Sequence, residues 1–204
     1  MDYRNIMENF ENECFKTENS FTAIVDFKNN LRRNIYLDDI EEGTGEGVEA
    51  MIRFFNMEDE EAGIPVEERL PIKLYINSNG GFLSETFIMI DAINMSKTPV
   101  YTICTGNAYS GGFFTFICGH KRFAYPHSSF LFHEGSTQTG GTAGQFANYA
   151  SFYKQELGKL KELVIEKTGI DEAKYNEIQK DDFWMDAELA KELNVVDVIT
   201  QEFI

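Results

Sequence analysis

A serine stands in the run Gly106-Asn107-Ala108-Tyr109-Ser110-Gly111-Gly112. The form small-x-Ser-x-Gly, set between a strand pattern and an apolar helix pattern, is that of a turn that lifts a hydroxyl clear of a sheet. A hydroxyl presented that way suits attack on a carbonyl, and its small neighbours leave room for a substrate. The helix that follows would turn free N–H groups and the positive end of its dipole toward the site, which suits an oxyanion. Serine is also a preferred helix N-cap. On this motif alone a capped helix, with glycines that serve packing, is the favoured reading.

A nucleophilic serine needs a base, and the chain has three histidines, His120, His127 and His133. His120, in Gly119-His120-Lys121-Arg122, and His127, after Pro126, sit in polar turns and read as solvated. His133 ends the apolar run Ser129-Phe130-Leu131-Phe132, at the rim where sheets present functional side chains. Asp171, Asp181, Asp182, Asp186 and Asp197 are the candidates to orient an imidazole, and spacing does not choose among them. Gly80-Gly81 offers backbone N–H groups at a second helix start, a further oxyanion donor. Metal and phosphate chemistry have little support: the chain has no His-x-x-x-His, no EF-hand spacing and no Gly-x-x-x-x-Gly-Lys-Ser/Thr.

Composition narrows the field. Eighteen Lys and Arg against 34 Asp and Glu give a net charge of -16, which disfavours nucleic acid and anionic membrane as partners. No apolar run reaches the ~20 residues of a bilayer span, and Met1 to Asn9 lacks the basic-then-apolar order of a signal peptide. A cytoplasmic protein is expected. Cys14, Cys104 and Cys118 have neither disulfide number nor zinc spacing and read as reduced thiols, two of them in the core.

The elements that must position these residues read as an α/β chain of one domain. Residues 1–33 form an arm or a short helix. Asn34 to Leu37 is a strand, Gly47 to Asn56 a helix and Glu58 to Glu68 an acidic loop broken at Gly63-Ile64-Pro65. Ile72 to Ile76 is a strand, Asn77 to Gly81 a turn, and Ser84 caps a helix to Met95. The pattern repeats as strand Val100 to Cys104, turn Gly106 to Ser110 and helix Gly111 to Cys118, which implies a parallel sheet. Arg122 to Tyr125 and Ser129 to Phe132 are further strands. A long helix runs from about Ala143 to Lys167, with Thr142 and Gln145 as a capping box and Gly169 as its stop. Helices near Asp171 to Gln179 and Ala187 to Leu193 and a strand at Val195 to Ile199 complete the chain.

Taken together, Tyr75 to Gly81, Thr102 to Gly112, Phe130 to His133 and the tail Asp182-Phe183-Trp184-Met185-Asp186-Ala187, ending in Val195-Val196-Asp197, resemble the ClpP family of ATP-dependent peptidases from about Arg33 to Ile199. The resemblance implies a ClpP/crotonase-like α/β fold of repeated β-β-α units around a parallel sheet. It implies a head, residues 34–133 and 168–204, and a protruding handle, about 134–167, in which Thr137 to Gly144 is a glycine-rich strand and Ala147 to Lys167 a helix. It also implies a serine endopeptidase with Ser110 as nucleophile, His133 as general base and Asp182 as the acid that orients it, with Gly81 and Gly111 giving the oxyanion-hole N–H groups. Unfolded polypeptide is the implied substrate. The implied assembly is a homo-oligomer of heptameric rings stacked as a tetradecamer, fed by an AAA+ unfoldase of the ClpX or ClpA type. No cofactor of its own is implied, ATP hydrolysis belonging to that partner, and Tyr75 falls in the family's ATPase-docking groove.

The chain departs from the family pattern at several places. Asn79 stands for a proline, Gly111 for the methionine after the nucleophile, Glu134-Gly135 for Gln-Pro, and Lys180-Asp181 reverses an acidic-Arg pair. Loss of the methionine is expected to alter the wall of the specificity pocket and loosen the turn. These departures keep a second reading open, a catalytically degenerate ring or scaffold subunit. A crotonase-like acyl-CoA enzyme, whose related fold also uses two glycine-flanked N–H donors, ranks third.

Overall fold

The computed structural model describes residue 25 and residues 28–204. Most of the expected N-terminal arm, together with Cys14, lies outside the described residues. Strands β1 (Asn34–Leu37), β2 (Ile72–Ser78), β3 (Val100–Tyr109), β4 (Lys121–Ala124) and β7 (Val198–Ile199) lie side by side in that order, all parallel. β5 (Ser129–Phe132) pairs in parallel with the far end of β3, and β6 (Phe183–Asp186) pairs antiparallel with β5. β3 is ten residues long and, on the side away from β2, serves two neighbours: Tyr101 to Cys104 face β4, and Asn107 to Tyr109 face β5.

The α-helices that follow β1 are α1 (Thr44–Glu61), α2 (Leu83–Met95), α3 (Gly111–Ile117), α4 (Ala143–Lys167), α5 (Glu172–Ile178) and α6 (Ala187–Glu192). The core between helices and sheet is built from alternate strand residues, such as Ile72, Leu74 and Ile76 of β2 and Phe130 and Phe132 of β5, all fully buried. α3 is buried along its whole length. Among the described residues no helix is long and apolar enough to cross a membrane. Cys104 and Cys118 are buried free thiols whose pKa burial pushes up to about 12, so they stay protonated.

Several boundaries differ from the sequence reading, each for a physical reason. α1 is longer at both ends and absorbs the start of the acidic loop. Its start follows Gly43 at φ 86°, and the buried Glu85 carboxylate accepts the Gly45 N–H at 2.9 Å. Its last turn holds Asp59, fully buried and paired with Arg33 at 2.5 and 2.7 Å and with the Thr98 hydroxyl at 2.7 Å, an inward carboxylate that apolar periodicity does not register. α2 starts after Phe82 without a side-chain cap, so Ser84 is inside the helix rather than at its cap. The expected turn at Gly106 to Ser110 is strand as far as Tyr109, because the Asn77 side chain accepts the Asn107 N–H at 3.1 Å and occupies the space over Gly106. A four-residue β6 was not anticipated, Val195 to Val196 precede rather than join the two-residue β7, and α6 stops at Glu192.

The capping box at Thr142 and Gln145 and the span of α4 are as expected. Its stop is not: Thr168 is the cap, and Gly169 is small because a Cβ there would stand 2.7 Å from Asn194 Nδ2. The glycine-rich strand at Thr137 to Gly144 is also absent. Residues 134–140 carry no strand, and Gly144 lies inside α4. A strand exists only with a hydrogen-bonded neighbour, and the sheet has none here.

The Arg33–Asp59 pair ties β1 to α1 in the interior. Arg33 holds the Asp59 carboxyl below the ordinary carboxylate value, against the opposing effect of burial. A depressed folded-state pKa stabilises above the unfolded value near 3.8 and is lost as pH falls through the folded value. Asp59→Asn should therefore lower stability at pH 7 by about 2–3 kcal/mol, less than a fully buried pair because Arg33 keeps some solvent contact. In urea unfolding at stepped pH, the gap between variant and wild type should narrow as pH drops below 3.8.

Candidate active site

Ser110 occupies the cap position of α3, at φ 51° and ψ -120°, with no side-chain capping bond. A non-glycine residue in that region is strained, and the strain persists only where the surroundings hold it. Here the Ser110 N–H donates to Leu131 O of β5 at 3.0 Å, and its carbonyl accepts the Phe114 N–H at 3.2 Å. The hydroxyl is thus not spent on capping. α3 is only seven residues long, so local N–H groups matter more at this site than a long helix dipole.

The neighbouring turn between β2 and α2 comes very close. A Cβ on Gly80 would stand 2.7 Å from Ser110 Cβ, and a Cβ on Gly112 3.0 Å from Ser78 Cβ. Gly80 (φ 94°) gives its N–H to the buried Ser78 hydroxyl at 3.1 Å. Gly81 (φ 149°) is clamped by Ile40, which donates to Gly80 O at 2.8 Å and accepts from the Phe82 N–H at 3.0 Å. Both bonds use the peptide groups flanking Gly81, so its own N–H points to the opposite side. There the Gly81 nitrogen lies 3.6 Å from where a Gly111 Cβ would be. The Gly81 and Gly111 amides are thereby brought together beside Ser110.

Gly111 does not loosen the turn as expected. A Cβ on it would meet Thr86 Oγ1 at 2.5 Å and Ile40 Cδ1 at 2.9 Å. Those side chains occupy the space, and the glycine tightens the contact with α2 rather than loosening the turn.

His133 follows β5 and is partly exposed, with Nδ1 4.0 Å from Asp182 Oδ1 just ahead of β6. That is ion-pair distance, beyond hydrogen-bond reach. Three of the other aspartates are engaged elsewhere. Asp171 and Asp186 cap α5 and α6, accepting the Lys174 and Leu189 N–H groups, and Asp197 binds Arg122 at 2.6 Å. Asp181 is exposed. His127 and His120 are both exposed, as expected, though His120 also has a structural bond: its Nδ1 accepts the Val100 N–H at 3.0 Å, and partial burial lowers its pKa. It is a structural, neutral histidine.

Ser110, His133, Gly81 and Gly111 open on one cleft of about 740 Å3 between α2 and α4. Its walls include Phe82, Phe114, Phe152 and Tyr153, with Glu134 and Glu156 among the lining residues. Burial, then Tyr149, then Glu134 raise the pKa of the Tyr153 phenol, which keeps it a neutral donor at pH 7. Thr137 and Tyr149 join their hydroxyls at 2.6 Å, which ties the 134–142 segment to α4 along one side. Sequence reasoning missed Ile40, Thr86 and the two tyrosines of α4. Only the aromatic content of α4 signalled any of them.

An α/β fold of the ClpP/crotonase kind, with a strained serine between two glycine turns, defines the class of protein. The Clp protease family model matches residues 24–203, and the chain belongs to that family. It is 36% identical over 135 residues to the ATP-dependent Clp protease proteolytic subunit 2 of Corynebacterium diphtheriae, a match covering 64% of this chain and 66% of that protein. The match thus spans slightly less than two thirds of that relative's length.

Glycine substitutions separate this contact from ordinary backbone freedom. Gly81→Ala would drive its Cβ into the Ile40 carbonyl and should cost at least about 2 kcal/mol. Gly158→Ala, in α4 with nothing near its Cβ position, should stabilise by roughly 0.5–1 kcal/mol. Denaturant unfolding of the two variants measures both signs.

Proposed function

We propose that the chain is a serine endopeptidase that hydrolyses unfolded polypeptide at Ser110. One observation carries the reading: a strained serine free of capping shares a cleft with His133 and with the neighbouring Gly81 and Gly111. In this mechanism His133 takes the proton of the Ser110 hydroxyl as its oxygen attacks the scissile carbonyl, then gives that proton to the leaving amine. Asp182 orients the imidazole through Nδ1. The two glycine amides stabilise the tetrahedral oxyanion, each such donor being worth about 10²–10³ in rate. The 4.0 Å gap between His133 and Asp182 closes by about 1 Å on reaching hydrogen-bond distance, as catalytic contacts often tighten only with substrate bound.

The family and the word "subunit" in the relative's name support the remainder of the proposal. The chain works as a cytoplasmic homo-oligomer of heptameric rings, stacked as a tetradecamer around a chamber, with residues 34–133 and 168–204 as head and about 134–167 as handle. A partner AAA+ ATPase delivers substrate, and the subunit itself needs no cofactor. The same 4.0 Å gap favours one other reading, a degenerate ring subunit in which the base is never oriented.

A fluorophosphonate probe should label Ser110 in the assembled protein, and Ser110→Ala should abolish labelling and lower hydrolysis of unstructured peptides by at least about 10⁴-fold. Asp182→Asn should cost roughly 10³-fold or more. A normal oligomer that resists the probe, with peptide hydrolysis unchanged in Ser110→Ala, overturns the peptidase reading in favour of the degenerate one.

A further inference from the structure

Three strands lead to the proposed site residues, and a row of side chains crosses them, ending at Trp184, which is 55% exposed. Tyr109 of β3 pairs with Leu131 of β5, and Leu131 pairs with Trp184 of β6. Paired residues share a face of the sheet, so the three side chains stand in line. The Tyr109 and Trp184 rings meet edge to face over the middle strand, with centroids 5.2 Å apart and planes at 81°. Leu131 lies between them, 9% exposed. The Tyr109 hydroxyl also bonds the Ser129 hydroxyl of β5 at 2.7 Å.

Chain order places this row relative to the site. Two residues on from Leu131, just past β5, comes His133, and two residues back from Trp184, just ahead of β6, comes Asp182. One residue on from Tyr109 is Ser110, whose N–H is held by Leu131 O. The row therefore touches every segment that the proposed triad needs. Among the described residues β6 pairs with β5 alone, so its strand pairing reaches β3 through β5.

We propose that Tyr109 and Trp184 form an aromatic latch that sets the distance between the Ser110 turn and the Asp182–His133 pair, an inference that rests on the serine peptidase reading. Neither ring is a catalytic residue; both are positioning residues. An edge-to-face pair has a defined geometry, so the latch fixes the angle of β6 against β3 as well as its approach. Misplacement by about 1 Å costs on the order of 10²-fold in rate, and a loosened latch should cost part of that.

The test uses the full chain with Trp184→Ala, Trp184→Leu and Trp184→Phe. Trp184→Leu keeps apolar cover over Leu131 and guards against simple misfolding, while Trp184→Phe restores a ring edge to Tyr109. Fluorophosphonate labelling of Ser110 and kcat for an unstructured peptide should both fall about tenfold in the Ala and Leu variants, with KM within about twofold, and return to within about twofold of wild type in Phe. Wild-type rates in the Leu variant, or a Phe variant no faster than Ala, overturn the latch while the peptidase reading stands. A wild-type chain unlabelled at Ser110 overturns that reading and the latch with it.

Discussion

Between the turn after β2 and the turn after β3 there is no room for a side chain. Gly80 faces Ser110 and the Tyr109 carbonyl so closely that a Cβ would stand 2.7 and 2.8 Å from them, and Gly81 is pressed against Ile40 from the other side. Parallel pairing of β2 with β3 sets the two turns abreast, and the irregularity between Ile76 and Ser78 adjusts their register. Ile40 closes the stack from the segment after β1. Three strands thus converge on a single backbone contact. The positive φ of Ser110 is tolerable because that contact, with Leu131 O, leaves the residue no alternative.

Charge is placed with the same economy. The chain holds 34 acidic residues, yet among the described residues the acidic side chains classed as buried are Asp59 and Glu85, and both brace α1. Asp59 fixes the end of that helix to Arg33, whose carbonyl accepts the Lys73 N–H at the head of the β1–β2 pair. Glu85 fixes its start and projects from α2, the helix that carries Thr86 against Gly111. The interior carboxylates therefore hold the helix and strand from which Ile40 reaches the glycine turn. A buried charge that lost its partner would leave a large desolvation cost, so these bonds set the position of β1 and α1 firmly.

Much of this was legible in the sequence, and the gaps have a common cause. Strands β1 and β5, the span of α4 and its capping box follow from apolar period and cap chemistry, which are local. The pairing of Gly80-Gly81 with the Ser110 turn was also legible, since the strand-turn-helix pattern occurs twice. Failures came where a distant group decides a local outcome. Asp59 reads as part of an acidic loop until Arg33, 26 residues earlier, is brought beside it. Gly106 reads as a turn until Asn77 fills the space above it. Gly111 reads as a loosened turn until Thr86 and Ile40 are found packed against it. Residue spacing did not single out Asp182, which the family resemblance alone named; the cap duties of Asp171 and Asp186 and the Arg122 partner of Asp197 appear only in the fold.

The two halves of the site are supported unequally, and this bears on how it would work. The serine and the two glycine amides rest on β1, β2 and β3, with a core of fully buried residues beneath. His133 and Asp182 stand just past the ends of β5 and β6, four-residue strands whose only shared ladder is antiparallel and lies off the main path of the sheet. Asp182 is 59% exposed, and its contact with His133 is 4.0 Å, so solvent competes for both partners. A rearrangement that leaves the core intact would therefore act on His133 and Asp182 and spare the Gly80–Ser110 contact. Under the proposed mechanism, the placement of β5 and β6 governs the proton transfer, while the geometry of carbonyl binding is set by the glycine turns over the core.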